Sequence, residues 1–318
     1  MNKFAATASA IFLTGALSLA GTQAAQAAVT PGTLVPGSQL FVFEFDDAFT
    51  GDLLTLDPGT GVTTPKGSSA LGGGWSGSAF NPTDGKIYVI GIHNWADPYT
   101  LYSVEPATGE FSEIADLPVG VSAGALAISR EGEAYLIDWN EELYSFDLTD
   151  ASVTSIGNTE TFGDTYSFAI NPVDGRAYVL SFDYDDVENN LVEVDLSDGS
   201  TTLILADYDT VTGKKSGALA FDSNGTAWLQ MESGQAELWS ADINDFAATA
   251  RFESYFLNPT DNEDRFYTEA IAIATGLPDE HELAETGVST EQLAFSGAVA
   301  FAAVAGGATI AIRRRRIS

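Results

Sequence analysis

The chain has 318 residues, with 13 lysines and arginines against 45 aspartates and glutamates, a formal net charge of −32, and no cysteine. That charge excludes nucleic acid and anionic lipid as partners for the bulk of the chain, and it favours cations, basic proteins or neutral sugars. Without cysteine there is no disulfide framework, no thiolate zinc site and no cysteine nucleophile, so stability has to come from a packed core.

The first residues read as an export signal. Lys3 supplies the charge, Phe4 to Leu19 is apolar, and Ala25-Gln26-Ala27 is a small-x-small cleavage site. The reading is a signal peptide over residues 1–27 and a mature chain from Ala28, with cleavage after Ala28 as the alternative. Residues 28–38, rich in glycine and proline, form a short N-terminal segment. About 250 residues then separate the two terminal signals, enough for one domain with a substantial core. Removing Lys3, the four terminal arginines and Glu291 leaves 8 basic and 44 acidic residues, a net charge of about −36.

From Gln39 an internal repeat of about 42 to 50 residues begins. One line of it runs through Leu53-Leu54-Thr55-Leu56-Asp57, Leu101-Tyr102-Ser103-Val104-Glu105, Leu143-Tyr144-Ser145-Phe146-Asp147, Leu191-Val192-Glu193-Val194-Asp195 and Leu238-Trp239-Ser240-Ala241-Asp242. A second precedes it, for example Ile87-Tyr88-Val89-Ile90 and Ala177-Tyr178-Val179-Leu180. A third is Ser78-Ala79-Phe80, Leu126-Ala127-Ile128, Phe168-Ala169-Ile170, Leu219-Ala220-Phe221 and Ile271-Ala272-Ile273. All are rich in β-branched and aromatic residues, and Asp-Gly or Asn-Gly turns join the third line to the second. A fourth strand follows each Leu-x-x-x-Asp line, as in Glu110 to Ile114.

Four antiparallel strands per repeat make a β-propeller blade, here lettered a to d from the axis outwards. The repeats resemble the NHL-like and quinoprotein-like propellers, which implies that fold over residues 39–275. Strands b and c occur five times, but the first copy has no strand a before it and the last strand a, near Thr268 to Ala274, follows the fourth full unit. The expectation is an all-β, five-bladed ring closed by this C-terminal strand, with no free sheet edge. Small residues on strand a, namely Gly77, Ala125, Ser167, Ala218 and Ala270, predict a narrow centre. A six-bladed ring would need a further strand in the short, glycine- and proline-rich stretch before Pro36.

The b–c and d–a loops share one side of such a ring and carry aromatic rings beside carboxylates and amides. Trp75, His93, Trp95, Asp138, Trp139, Asp183 and Tyr184 are the candidate ligand face, suited to sugar rings or to cations. The alternative is that the aromatics fill space between blades and the acids solvate loops. Asp183, Asp185, Asp186 and Glu188 offer oxygen ligands for calcium, the one cofactor considered, although the segment lacks the glycine and spacing of an EF-hand loop. Catalysis has little to build on. His93 and His281 are the two histidines. A glycosidase would need a carboxylate pair, for which Glu269 on strand a and Asp138 on strand b are the candidates.

After a spacer over residues 276–286 that ends in Leu283-Ala284-Glu285-Thr286-Gly287, the chain closes on a sorting tail, 287–318. The tail holds an uncharged apolar run, 293–312, long enough for a transmembrane helix, and then Arg313 to Arg316, a cytoplasmic stop. This order resembles the sorting signal of sortase-anchored Gram-positive surface proteins, in the LAxTG form found among actinobacteria. The resemblance implies that a sortase cuts between Thr286 and Gly287 and joins Thr286 covalently to peptidoglycan. The membrane is then a partner only through the helix before sorting. A plain tail anchor is the alternative.

The expectation for function is an exported, wall-anchored binding or scaffold module for a glycan or a surface protein. The alternatives are a five-bladed glycoside hydrolase or lyase, and a structural wall protein without a ligand. Residues 276–282 span at most about 25 Å, which places the ring against the wall, with the b–c side expected to make the contact.

Overall fold

Nineteen strands form in the computed structural model, which describes residues 32–276 apart from 46–49, 94–97, 161–163, 184–187, 214, 233–235 and 258–266. The segments read as signal peptide (1–27) and sorting motif (Leu283–Gly287), and the apolar run 293–312, lie outside the described residues. Among the described residues no helix is long and apolar enough to cross a membrane.

The strands fall into five blades. β1 (Gln39–Phe45), β2 (Thr50–Leu56) and the first part of β3 (Thr63–Asn81) supply the three outer strands of blade 1. The rest of β3 runs on as strand a of blade 2, with β4 (Lys86–His93), β5 (Thr100–Glu105) and β6 (Glu110–Asp116). Blade 3 is β7 (Ala123–Ile128), β8 (Ala134–Asp138), β9 (Glu142–Phe146) and β10 (Val153–Asn158). Blade 4 is β11 (Asp164–Ile170), β12 (Ala177–Asp183), β13 (Glu188–Val194) and β14 (Thr201–Leu205). Blade 5 is β15 (Lys215–Phe221), β16 (Thr226–Glu232), β17 (Ala236–Asp242) and β18 (Arg251–Tyr255).

β19 (Tyr267–Ala274) then returns to blade 1 and pairs antiparallel with β1, from Gln39 opposite Ala274 to Phe45 opposite Tyr267. Circular closure, expected from the strand count, is therefore the architecture. Both β1 and β19 have their outer ends at the side of the a–b and c–d turns, so the chain enters and leaves the ring there.

The repeated aspartate after strand c makes the c–d turn. Asp57 Oδ1 accepts the amides of Gly59 (2.8 Å) and Thr60 (3.1 Å). Asp147 accepts the amide and hydroxyl of Thr149, and Asp195 those of Ser197. These bonds favour the charged form, chiefly through the hydroxyls, and hold the Asp147 and Asp195 carboxyls below their ordinary range. The a–b turns use the same device from inside. Asn171 and Asp222, both buried, accept the amides of Val173 (3.0 Å) and Asn224 (2.9 Å).

The core divides into five apolar clusters, one at each blade–blade contact. Phe41 and Phe43 of blade 1 meet Ile87, Val89 and Tyr102 of blade 2, and Tyr178 and Leu180 of blade 4 meet Leu219 and Leu229 of blade 5. Leu40 and Val42 face Trp228 and Leu238 across the closing contact, where Ile271 and Ile273 of β19 complete the cluster. A side chain buried in this way contributes about 1.5–3 kcal/mol. Among the described residues each of these strand pairings and clusters is made within residues 34–274, so the ring carries its own hydrophobic core, as a domain able to fold alone does.

At the axis the inner strands close to a void of about 10 Å³ beside Gly77, Ala125, Ser167, Ala218 and Ala270, room for about one water. Gly77 is required there, since a Cβ would stand 2.7 Å from the Leu126 amide nitrogen. Next to this waist every inner strand carries a bulge. The extra residues are Ser76, Gly124, Tyr166, Gly217 and Glu269.

Deleting the chain from Tyr267 onward strips β1 of its inner partner and opens two of the five clusters. The expected result is loss of the cooperative melting transition of the whole ring, read by circular dichroism. A truncated protein that melts as the full ring does would refute closure as the source of cooperativity.

Candidate functional site

On the side of the b–c loops, the structure describes three of the seven expected ligand residues by side chain. Trp75 is not on the surface. It is fully buried, stacked on Phe111 at 5.4 Å and edge-on to Phe43 (5.6 Å) and Tyr102 (6.2 Å). The indole lies over Gly51, where any Cβ would stand 2.4 Å from the ring. The correction has a plain cause: β3 runs unbroken from blade 1 into blade 2, so Trp75 belongs to an inner strand and fills the space between blades.

Asp138 is likewise not open to a ligand. It is 1% exposed, and its Oδ1 accepts the amides of Asn140 (2.9 Å) and Glu142 (3.0 Å) while Oδ2 accepts the Asn140 side-chain amide (3.1 Å). It is a turn former and makes no channel carboxylate. Its turn displays Trp139, which is 50% exposed. The Trp139 amide donates to the Ser122 carbonyl (3.1 Å), and the Glu141 carbonyl accepts both the amide and the hydroxyl of Thr159 (2.7 and 2.9 Å). Glu141 is held at φ 62°, a left-handed conformation that this bonding supports.

Trp95, Tyr184, Asp185 and Asp186 lie outside the described residues, as do the side chains of His93, Asp183 and Glu188. The backbones of His93 and Asp183 end β4 and β12, opposite Gly73 and Glu188. Among the described residues no group of three or more acids or histidines could hold a metal ion.

At the opposite end of the axis lies a cavity of about 400 Å³ that the sequence reading did not single out. It is built in tiers, one residue per blade. Nearest the waist are Ser78, Phe168, Leu219 and Ile271, then the alanines 79, 127, 169, 220 and 272. Above them stands a collar of Phe80, Ile128, Ile170, Phe221 and Ile273, and at the rim Pro82, Arg130, Pro172, Ser223 and Thr275. The waist closes it below, so it is a blind funnel. Neither the funnel nor the waist is lined by a carboxylate of a described side chain. The signal was in the third repeat line, where an alanine followed by a large apolar residue recurs in all five copies.

No protein-family model matches the chain, and no curated protein matches it. Among solved structures the chain is similar to one titled as a nidogen/laminin complex, with TM-score 0.49 and 14% identity over 76% of this chain and 100% of that one. It is also similar to a protein of unknown function from Bacteroides caccae (0.46, 12%, 75% and 99%) and to TolB from Acinetobacter baumannii (0.45, 15%, 75% and 66%).

Asp138→Ala leaves two turn amides without their acceptor. The expected cost is about 2–3 kcal/mol, measured by denaturant unfolding, with Asp138→Asn less damaging because it keeps an acceptor oxygen. Equal stability of Asp138→Ala and the parent would contradict the structural role.

Proposed function

We propose that this chain is an exported surface protein, linked to the cell wall through Thr286, whose ring is a binding module. The observation that carries the reading is Trp139, an aromatic face held out from the ring by a turn that Asp138, Glu141 and Thr159 tie with hydrogen bonds. A half-exposed indole on a rigid mount offers a large contact area at little entropic cost, which suits the C–H face of a sugar or a cationic side chain. The net charge of about −36 for the anchored product adds to the preference for neutral or basic partners. The candidate partners are accordingly a glycan or the basic surface of a neighbouring protein.

The direction of β19 alters the orientation expected from the sequence. Its last residue, Ala274, lies at the a–b turn side, so the spacer toward Thr286 starts there. In the proposed attachment the turn side lies toward the anchor and Trp139 points away from it. This orientation replaces the expected contact between the b–c side and the wall, and favours a partner met from outside. The glycosidase reading is disfavoured, since Asp138 is bound up in its turn.

Two experiments test the reading. Thr286→Ala should move the protein from the muramidase-released fraction to the membrane; a wild-type protein fully extracted by detergent with its C-terminal arginines intact would refute wall linkage. Trp139→Ala should weaken binding to purified cell-surface glycan or to a basic protein bait by about tenfold, with melting unchanged. Equal binding by parent and variant would remove this face from the function.

A further inference from the structure

We propose that the funnel at the turn side is a second binding site, for a slender apolar molecule that ends in a carboxylate. This goes beyond the surface-binding role and does not depend on it. The funnel's volume lies within the range of small-molecule sites, and its collar and alanine tiers present apolar side chains on every side of the axis. It narrows along the axis from collar to waist, which admits a linear aliphatic chain more readily than a branched or fused-ring body.

The rim sets the polarity of the other end. Among the described residues Arg130 is the single ionisable side chain lining the funnel. It is exposed, and it makes no ion pair among the described residues. Arg176, in the neighbouring turn, is committed elsewhere. Its guanidinium forks onto Glu193, bonds Asn244 Oδ1 (3.0 Å) and lies 5.5 Å from the centre of the Tyr178 ring. Pro82 and Pro172 offer no amide at the rim, while Ser223 and Thr275, each two residues after a collar residue as Arg130 is, line it with hydroxyl-bearing side chains. An unpaired guanidinium with two hydroxyls above an apolar pit matches a carboxylate on an aliphatic chain. The chain's overall negative charge opposes any anion at long range, but at physiological ionic strength that field is screened beyond about 8 Å, whereas direct contact with Arg130 is weakened much less.

The test uses the ring, residues 32–276, and calorimetric titration with decanoate and with decanol in 0.15 M salt. Decanoate should bind one to one. Arg130→Ala should weaken decanoate about fivefold, the value of an exposed ion pair, and leave decanol unchanged. Ala220→Phe should block both, with its melting curve verifying the fold; Ala79→Leu is the milder second filling variant. Absence of binding to the parent ring, or an Arg130→Ala effect equal for acid and alcohol, would overturn the proposal. So would decanoate binding by residues 32–276 that is lost in residues 28–286, which would assign the funnel to the chain's own spacer. Because Trp139 and Thr286 take no part in these titrations, failure here leaves the surface-binding role standing.

Discussion

Five inner strands have to meet at one axis, and the rest of the structure depends on how little room that leaves. At the waist each inner strand contributes one small residue, Gly77, Ala125, Ser167, Ala218 or Ala270, and Gly77 has the Leu126 backbone so close that no side chain fits. Ser76 Oγ donates to the Gly124 carbonyl and Ser78 Oγ to that of Ile271, so neighbouring inner strands are tied where they converge. Each blade is then fixed in its angle to the next, and the five apolar clusters fill the wedges between them. The funnel is a by-product of the same constraint. Strands that touch at the waist diverge above it, and alanines in that tier leave the space empty.

Part of the acidity in this chain lies in its turns. Asp57, Asp147, Asp195 and Asp222 each accept backbone amides within a few residues, and Asp138 does so on the opposite side. A carboxylate in such a turn satisfies donors that the hairpin would otherwise leave to water. Repetition of the blade multiplies the device and adds an acid at each such turn. The positive charge is the informative one. There are few basic residues, and Arg130 is placed where the ring opens.

Much of this was legible in the sequence, and the limits are instructive. The Leu-x-x-x-Asp line, the Asp-Gly turns and the displaced fifth copy of strand a were enough for the blade count and its closure, because period-two alternation and turn residues act locally. Trp75 was misread as a loop residue, whereas paired neighbours on both sides carry the strand straight through. Asp138 and Trp139 are neighbours in sequence, but which one faces outward depends on the hydrogen bonds of a five-residue turn. The funnel escaped notice because it is a property of five tripeptides at once. Each Ala–apolar pair reads alone as an ordinary core strand, and only the ring turns them into tiers.

The pairing of β1 with β19 has a consequence in time as well as in space. A chain is made from its N-terminus, so Leu40 to Phe43 emerge among the first core residues and wait until Ala274 has followed for their inner neighbour. Through that interval blade 1 has an open, apolar strand edge, the kind of surface that pairs with other chains. Contacts between such distant segments also form slowly, because the whole intervening loop must be ordered first. Assembly of this ring is thus decided in its last moments, and the hazard of mispairing falls on the strand that was ready first.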